Sequence, residues 1–222
     1  MSEPFISFLV TCKNSDRQLK ELLSCIERYI DGNECVILDD FSDSEFTAEI
    51  LHEYGNKTGF KVYQHHLNKN YSLHKNHGKE KCSGKWIFQL DDDELPTETL
   101  LTNIKDIIES NPDVDVFLIP RINMFAGVTE AHARTWGWQL REYNGQKIVN
   151  WPDYQFRLFQ NVSHLNWERP LHEKVEGAKI ISKLPMEFDL AIEHRKTIER
   201  QVETNLRYNK EFSEDLNKGF KI

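Results

Sequence analysis

Lys85-Trp-Ile-Phe-Gln-Leu-Asp-Asp-Asp-Glu-Leu-Pro96 runs from a short apolar stretch straight into four consecutive carboxylates. Six residues rich in aromatic and branched side chains read as a strand covered on both faces, as in a parallel sheet. The acidic run follows the buried strand directly, which places it at the sheet edge. Two carboxylates about 4 Å apart repel by roughly 4 kcal/mol at an effective dielectric of 20, and burial makes this worse. In extended chain alternate side chains share a face, so Asp91 and Asp93 are expected together with Asp92 opposite. An oxygen-lined cation relieves that repulsion, and Mn²⁺ or Mg²⁺ typically takes one or two carboxylates plus substrate phosphates. The competing reading is a solvated turn capping a helix opened by Pro96, but Thr97 is available as that cap.

Upstream, Phe5 to Thr11 is a second nearly continuous apolar run. Asn14, Ser15 and Asp16 are cap residues, and Leu19, Leu22, Leu23 and Ile26 then follow helical spacing toward Gly32. Cys35 to Leu38 reads as another strand, stopped by Asp39-Asp40. Ser42 and Ser44 precede a helix whose inner face carries Phe46, Ile50, Leu51 and Tyr54. Phe60 to His65 is a weaker strand, and residues 68–84 are expected to be partly helical. Downstream, Leu100, Leu101, Ile104, Ile107 and Ile108 mark a helix, and Val114 to Ile119 a fifth strand. Strand and helix alternate at βαβ lengths, so residues 1–121 read as one α/β unit with a mainly parallel sheet. Residues 122–150 are expected to form a long functional loop. Strand-like pieces follow near 154–160, 171–176 and 187–193. A last amphipathic helix over 196–218 carries Ile198, Val202, Leu206 and Phe212. Neither repeats nor linkers divide the 222 residues.

Composition narrows the function classes. Hydrophobic residues make up 39% and charged residues 29%, which excludes a disordered chain. A formal charge of −8 argues against a protein that works by neutralising nucleic-acid phosphates, so no nucleic-acid partner is expected. The longest apolar runs fall far short of the roughly 20 residues needed to span a bilayer. Met1-Ser-Glu-Pro4 lacks a signal-peptide pattern, so a soluble, cytoplasmic protein with four reduced cysteines is expected.

Three polar clusters stand directly after predicted strands: Thr11 to Asn14, Asp39-Asp40, and Asp91 to Glu94. Ligands of open α/β sheets bind outside the carboxyl ends of the strands. For the first two clusters capping or turn chemistry is an equal alternative. No GxGxxG or GxSxG is present, and Gly78 to Lys85 departs from a P-loop in both spacing and final residue. His172-Glu173 begins an HExxH that Lys174-Val-Glu176 does not complete.

Taken together, these residues resemble family 2 glycosyltransferases of GT-A fold. Ser7 to Asn14 is similar to the family's opening strand and turn. Val36 to Asp40, followed by Ser42 and Asp43, resembles its base- and ribose-binding turn. His74 to Gly78 and then Gly84 to Ile87 resemble its Arg-Asn-x-Gly segment, with Lys75 where Arg is usual. Leu90 to Pro96 matches its DxD metal motif. Arg157-Leu-Phe159 and Trp167 to Glu173 resemble an Arg-Leu-Phe and His-Glu pair of one branch, which includes enzymes decorating bacterial surface saccharides.

The resemblance implies one glycosyltransferase domain over residues 1–222. Its fold would be a Rossmann-type, mainly parallel sheet flanked by helices. The nucleotide-sugar half would be 1–121, and a less regular acceptor-side half with a C-terminal helix 122–222. A UDP-sugar-type donor would lie against Thr11, Asn14, Asp39, Asp40, Lys75, Asn76, Asp91, Asp92 and Arg157. Arg157 pairs either with phosphate or with a core carboxylate. Asp91 and Asp93, with His172 as a third ligand, would hold Mn²⁺ or Mg²⁺. Glu173 is the first choice of general base and Glu168 and Asp153 are the alternatives, a role worth about 10²- to 10⁴-fold in rate. A saccharide acceptor would stack on Arg134, Trp136 and Trp138, unless those residues simply pack the loop. The reaction would be an inverting, single addition. A nucleotidyltransferase is the rival enzyme, but Thr11-Cys-Lys-Asn14 lacks its usual glycine. A non-catalytic nucleotide-sugar or carbohydrate-binding protein is the other alternative. On the repulsion argument, Asp93→Ala should leave thermal stability equal or higher.

Overall fold

In the computed structural model, which describes residues 3–217, the alternation of strand and helix is present from the start. β1 (Ile6–Cys12), α1 (Arg17–Glu27), β2 (Glu34–Asp39), α2 (Glu45–Gly55), β3 (Phe60–Gln64), α3 (Tyr71–Lys79) and β4 (Trp86–Asp91) follow one another. The four strands pair in parallel in the order β3-β2-β1-β4. Asp16 caps α1, and Leu19, Leu22, Leu23 and Ile26 are buried beneath it against Phe8, Val10 and Phe88. The α2 stripe is rotated from the expected one. Thr47 is fully buried because its hydroxyl donates to the Ser15 carbonyl, and Phe46 is left 45% exposed.

Pro96 does not open the next helix. Glu94–Pro96 is a short strand, β5, at the edge of the sheet, where a residue without an N–H costs no ladder bond. Thr97 caps α4 (Glu98–Glu109), its hydroxyl accepting from the Leu100 N–H. β6 (Val116–Ala126) runs seven residues past the expected Ile119. The expected loop over 122–150 is built structure instead: the end of β6, α5 (Glu130–Trp136), β7 (Leu140–Tyr143) and the first part of β8 (Gln146–Gln160). Asn144 and Gly145 join β7 to β8 with φ of 49° and 73°, the backbone that a tight two-residue hairpin needs.

β8 lies between β4 and β6 and is antiparallel to both. The sheet is therefore parallel through β4 and mixed beyond it. β9 (Asn166–Glu168) and β10 (Lys174–Glu176) form a separate antiparallel pair. β11 (Ile181–Lys183) and β12 (Ile192–Thr197) each run parallel to β6, and β12 also holds β5. α6 (Ile198–Glu211) is shorter than the 196–218 expected: Phe212 is its C-cap and Lys218 lies outside the described residues. It buries Ile198 and Asn205, whereas Leu206 is 51% exposed. All four cysteines are free, and no helix among the described residues is long and apolar enough to cross a membrane.

Candidate active site at the strand ends

The carboxyl ends of β1, β2 and β4 open into a cleft of about 850 Å³. α6 forms one of its walls, and β8, β12 and the segment around Glu173 complete it. A smaller cavity of about 550 Å³ between α1 and β5 gathers none of these strand-end residues.

Of the nucleotide-side residues expected from the sequence, Thr11, Asp40, Lys75, Asp91, Asp92 and Arg157 line the cleft. Asp40 accepts from Lys13 Nζ at 2.8 Å and from the Leu67 N–H at 2.9 Å. Against the upward push of burial, these donors hold its carboxyl below the usual range. Asn14, Asp39 and Asn76 do not line the cleft. Asn14 accepts the Asp43 and Ser44 N–H groups through its side chain, tying the β1–α1 turn to the start of α2. Asp39, 1% exposed, accepts from Ser42 and from Gln64. Asn76 exchanges two hydrogen bonds with the Trp167 backbone. These three are turn and docking residues, which sequence could not separate from ligand contacts because both roles use the same polar side chains.

The acidic run departs from simple alternation. β4 ends at Asp91, and Asp92-Asp93 form a turn into β5, so Asp91 and Asp93 meet different partners. Asp91 accepts from Thr11 at 3.0 Å, Gln89 at 2.9 Å and Arg157 at 2.6 Å, with Lys75 Nζ 3.5 Å away. Burial opposes ionisation here, but Arg157 and Lys75 hold this carboxyl well below its ordinary range. Asp93 lies 3.3 Å from Lys196 Nζ and 3.5 Å from His194 Nε2. Asp92 accepts from the Ser15 hydroxyl and the Lys13 N–H, and burial with neighbouring Asp93 pushes its carboxyl up. Much of the expected repulsion is thus offset by the chain's own cations. Asp93→Ala would take from Lys196 its carboxylate partner, which argues for a loss of stability against the equal or higher stability expected from sequence. Arg157 takes the core-carboxylate alternative, bridging Asp91 and buried Glu94 at 2.6 Å each.

The expected metal triad is not assembled. Among the described residues no group of three or more His, Cys, Asp or Glu side chains is arranged to hold a metal ion. His172 lines the cleft but does not join Asp91 and Asp93 in such a group. His194, which the sequence reading passed over, fits better. Asn123 Nδ2 donates to Asp153 at 2.9 Å and to the Val149 carbonyl at 3.3 Å, so its Oδ1 is the face turned to His194 Nδ1, at 2.8 Å. His194 Nδ1 must therefore carry the proton, and burial lowers the ring's basicity. The lone pair of Nε2 then faces an Asp93 oxygen at 3.5 Å, two acceptors that a cation between them would reconcile. A ligating imidazole usually donates its other N–H to an oxygen acceptor that fixes the ring, and Asn123 Oδ1 supplies that acceptor here. Asp93 and His194 are thus the two side chains of the cleft that would hold a divalent cation, with substrate oxygens completing its shell.

Two of the three candidate bases reach the cleft. Glu173 bonds Lys75, whose ammonium also lies 4.9 Å over the Trp167 ring; burial opposes the charge, but Lys75 lowers its pKa. Asp153 accepts from Arg121 at 2.6 Å through Oδ2, while among the described residues Oδ1 takes only the Gln155 amide at 2.8 Å; burial is again outweighed, here by Arg121 and Asn123. Glu168 is exposed on β9 and does not line the cleft. Of the aromatic wall expected for the acceptor, Trp138 lines the cleft beside Phe125, with ring centroids 5.5 Å apart. Trp136 stacks behind it on His132 and Arg134 is exposed, so neither faces the cleft.

Comparison with known proteins adds an independent finding. The model of the family described as glycosyl transferase family 2 matches residues 7–166. S. aureus TarS 1–349 in complex with UDP-GlcNAc is similar in structure, with a TM-score of 0.59 and 19% identity, over 86% of this chain and 58% of that one. The same protein with UDP gives a TM-score of 0.59 at 18% identity over 93% of this chain and 65% of that one. The longer S. aureus TarS gives 0.58 at 18% identity over 98% of this chain, which spans 40% of that one. No curated protein matches the chain.

Proposed function

Since the chain belongs to glycosyl transferase family 2 and has the GT-A Rossmann-like fold, we propose that it transfers a sugar from a UDP-sugar-type donor to a saccharide hydroxyl with inversion. The observation that carries this reading is the convergence of Asp40, Asp91 and the facing Asp93–His194 pair on one cleft at the strand ends.

Asp40, fixed by Lys13 and the Leu67 amide, is positioned for the ribose or base. Asp93 and His194 would hold Mn²⁺ or Mg²⁺, with Asn123 keeping the imidazole in the tautomer that offers Nε2. When bound, the ion supplies Lewis-acid stabilisation of the departing diphosphate. Asp91 already accepts from Arg157, Gln89 and Thr11, so it is assigned to hold the metal loop in shape and not as a ligand.

Asp153 is the better base of the two that reach the cleft. Its Oδ1 carries one neutral hydrogen bond, whereas Glu173 is bonded by an ammonium that also faces Asp91. Asp153 shares Asn123 with His194, which puts the base and the metal pair on one rigid network. As the acceptor oxygen bonds the anomeric carbon, its proton passes to Asp153 Oδ1 and the bond to the diphosphate oxygen breaks. Trp138 and Phe125 offer an aromatic face for the acceptor sugar.

The test is hydrolysis and transfer of a panel of nucleotide-sugars with Mn²⁺. Wild type should turn over at least one UDP-sugar, and His194→Ala and Asp93→Asn should lose about 10²-fold or more in kcat/KM. Undiminished activity after exhaustive chelation, with both variants fully active, would remove the metal from the proposal.

A further inference from the structure

α6 closes one side of the cleft and brings two guanidiniums to it. Its start lies against α1, where Arg200 Nη1 donates to Gln18 Oε1 at 3.2 Å. Its far end lies against α3, where the Tyr208 ring meets Tyr71 edge-on with centroids 6.1 Å apart. Between these anchors Arg200 and Arg207, seven residues apart, share one face about 10 Å long, and both line the cleft.

The sheet's cations in the cleft are already committed to carboxylates: Arg121 to Glu94 and Asp153, Arg157 to Asp91 and Glu94, Lys196 to Asp93. The two α6 guanidiniums hydrogen-bond neutral oxygens instead, Gln18 Oε1 and, at 3.3 Å, Tyr71 Oη. Asp92 feels the charge of Arg200 and Glu211 that of Arg207, but neither guanidinium makes an ion pair with a carboxylate among the described residues, and each keeps most of its five donors available to an anion. The same wall contains Asn205, 2% exposed, whose Oδ1 accepts from Gln201 at 2.8 Å and whose Nδ2 has no hydrogen-bond partner among the described residues. A buried donor without an acceptor and two arginines without a carboxylate ion pair, among the described residues, fit a wall built for an acidic ligand.

We infer that Arg200 and Arg207 bind the diphosphate of the nucleotide donor, so that α6 recognises its phosphates while Asp40 recognises the nucleoside. The inference rests on the nucleotide-sugar reading and deepens it, because it assigns phosphate binding to a helix outside the strand-end motifs. Guanidinium forks match phosphate oxygens in pairs, and charge-assisted bonds of that kind exceed neutral ones in strength.

Isothermal titration with Mn²⁺ present, using UDP and uridine as probes, tests it. Arg200→Gln and Arg207→Gln should each weaken UDP binding about tenfold, and the double variant more, with uridine affinity and thermal midpoint unchanged. Arg200→Lys and Arg207→Lys should recover part of the loss. If wild type binds UDP and the double variant binds it within twofold, α6 does not read the phosphates and the donor proposal stands. Equal weakening of UDP and uridine would make α6 a packing element and overturn the inference. If wild type binds neither UDP nor any other nucleoside diphosphate, both readings fall together.

Discussion

At the scale of single residues, one amide decides more of the site than any carboxylate. Asn123 gives both of its donors to fixed acceptors, and this alone sets which nitrogen of His194 is protonated. The same side chain holds Asp153, so Asn123→Leu should impair metal use and proton removal at once. For the base itself, Asp153→Asn should lower kcat by about 10²- to 10⁴-fold with UDP affinity nearly unchanged, whereas Glu173→Gln should lower kcat less than tenfold. Stopped-assay rates beside UDP titrations separate the two, and a larger loss in Glu173→Gln would return the role to Glu173. Asp40, Asp91 and Asp93 were legible in the sequence because acidic clusters follow two predicted strands at one sheet edge, although the same pattern also marked Asp39, a turn residue. His194 was not, since its meaning depends on a partner 71 residues away in the chain.

Among elements, the sheet is pinned at the end remote from the cleft by Glu34. It accepts from Ser7 at 2.6 Å, Ser83 Oγ at 2.9 Å and Lys61 at 2.7 Å, joining β1, β3 and the approach to β4. Burial alone would raise its pKa, yet Lys61 and the serines bring it down to about 2. A depressed carboxyl stabilises the fold fully above its unfolded value near 4.5, and that contribution fades as pH falls through about 2. Glu34→Gln should therefore cost about 2–3 kcal/mol in urea unfolding at pH 7, and the gap from wild type should narrow progressively below pH 4. A constant gap across pH would assign the loss to packing. The strands and helices through β4 were readable because each carries its own periodicity and cap. Asn144-Gly145 is a hairpin signal that could have found β7 and β8, and the loop reading missed it. The insertion of β8 between β4 and β6 has no local signature, because strand neighbours are chosen by the packed sheet.

For the molecule as a whole, donor binding should couple the strand ends to α6 and so appear in global stability. UDP with Mn²⁺ at about 100 times Kd adds roughly 2.7 kcal/mol by mass action, or about 5–10 °C in Tm for a chain this long. Differential scanning fluorimetry should show that rise with both together and far less with either alone. An equal rise with Mn²⁺ alone would mean the ion has enough protein ligands without phosphate. The place of β8 also bears on how this polypeptide is made. Until residue 160 has left the ribosome, β4 and β6 each present a bare hydrogen-bonding edge that only a later segment fills. Fragments truncated near residue 121 should for that reason cling to chaperones or precipitate, and the first half of the sheet should acquire protection from hydrogen exchange only in the same step as the second.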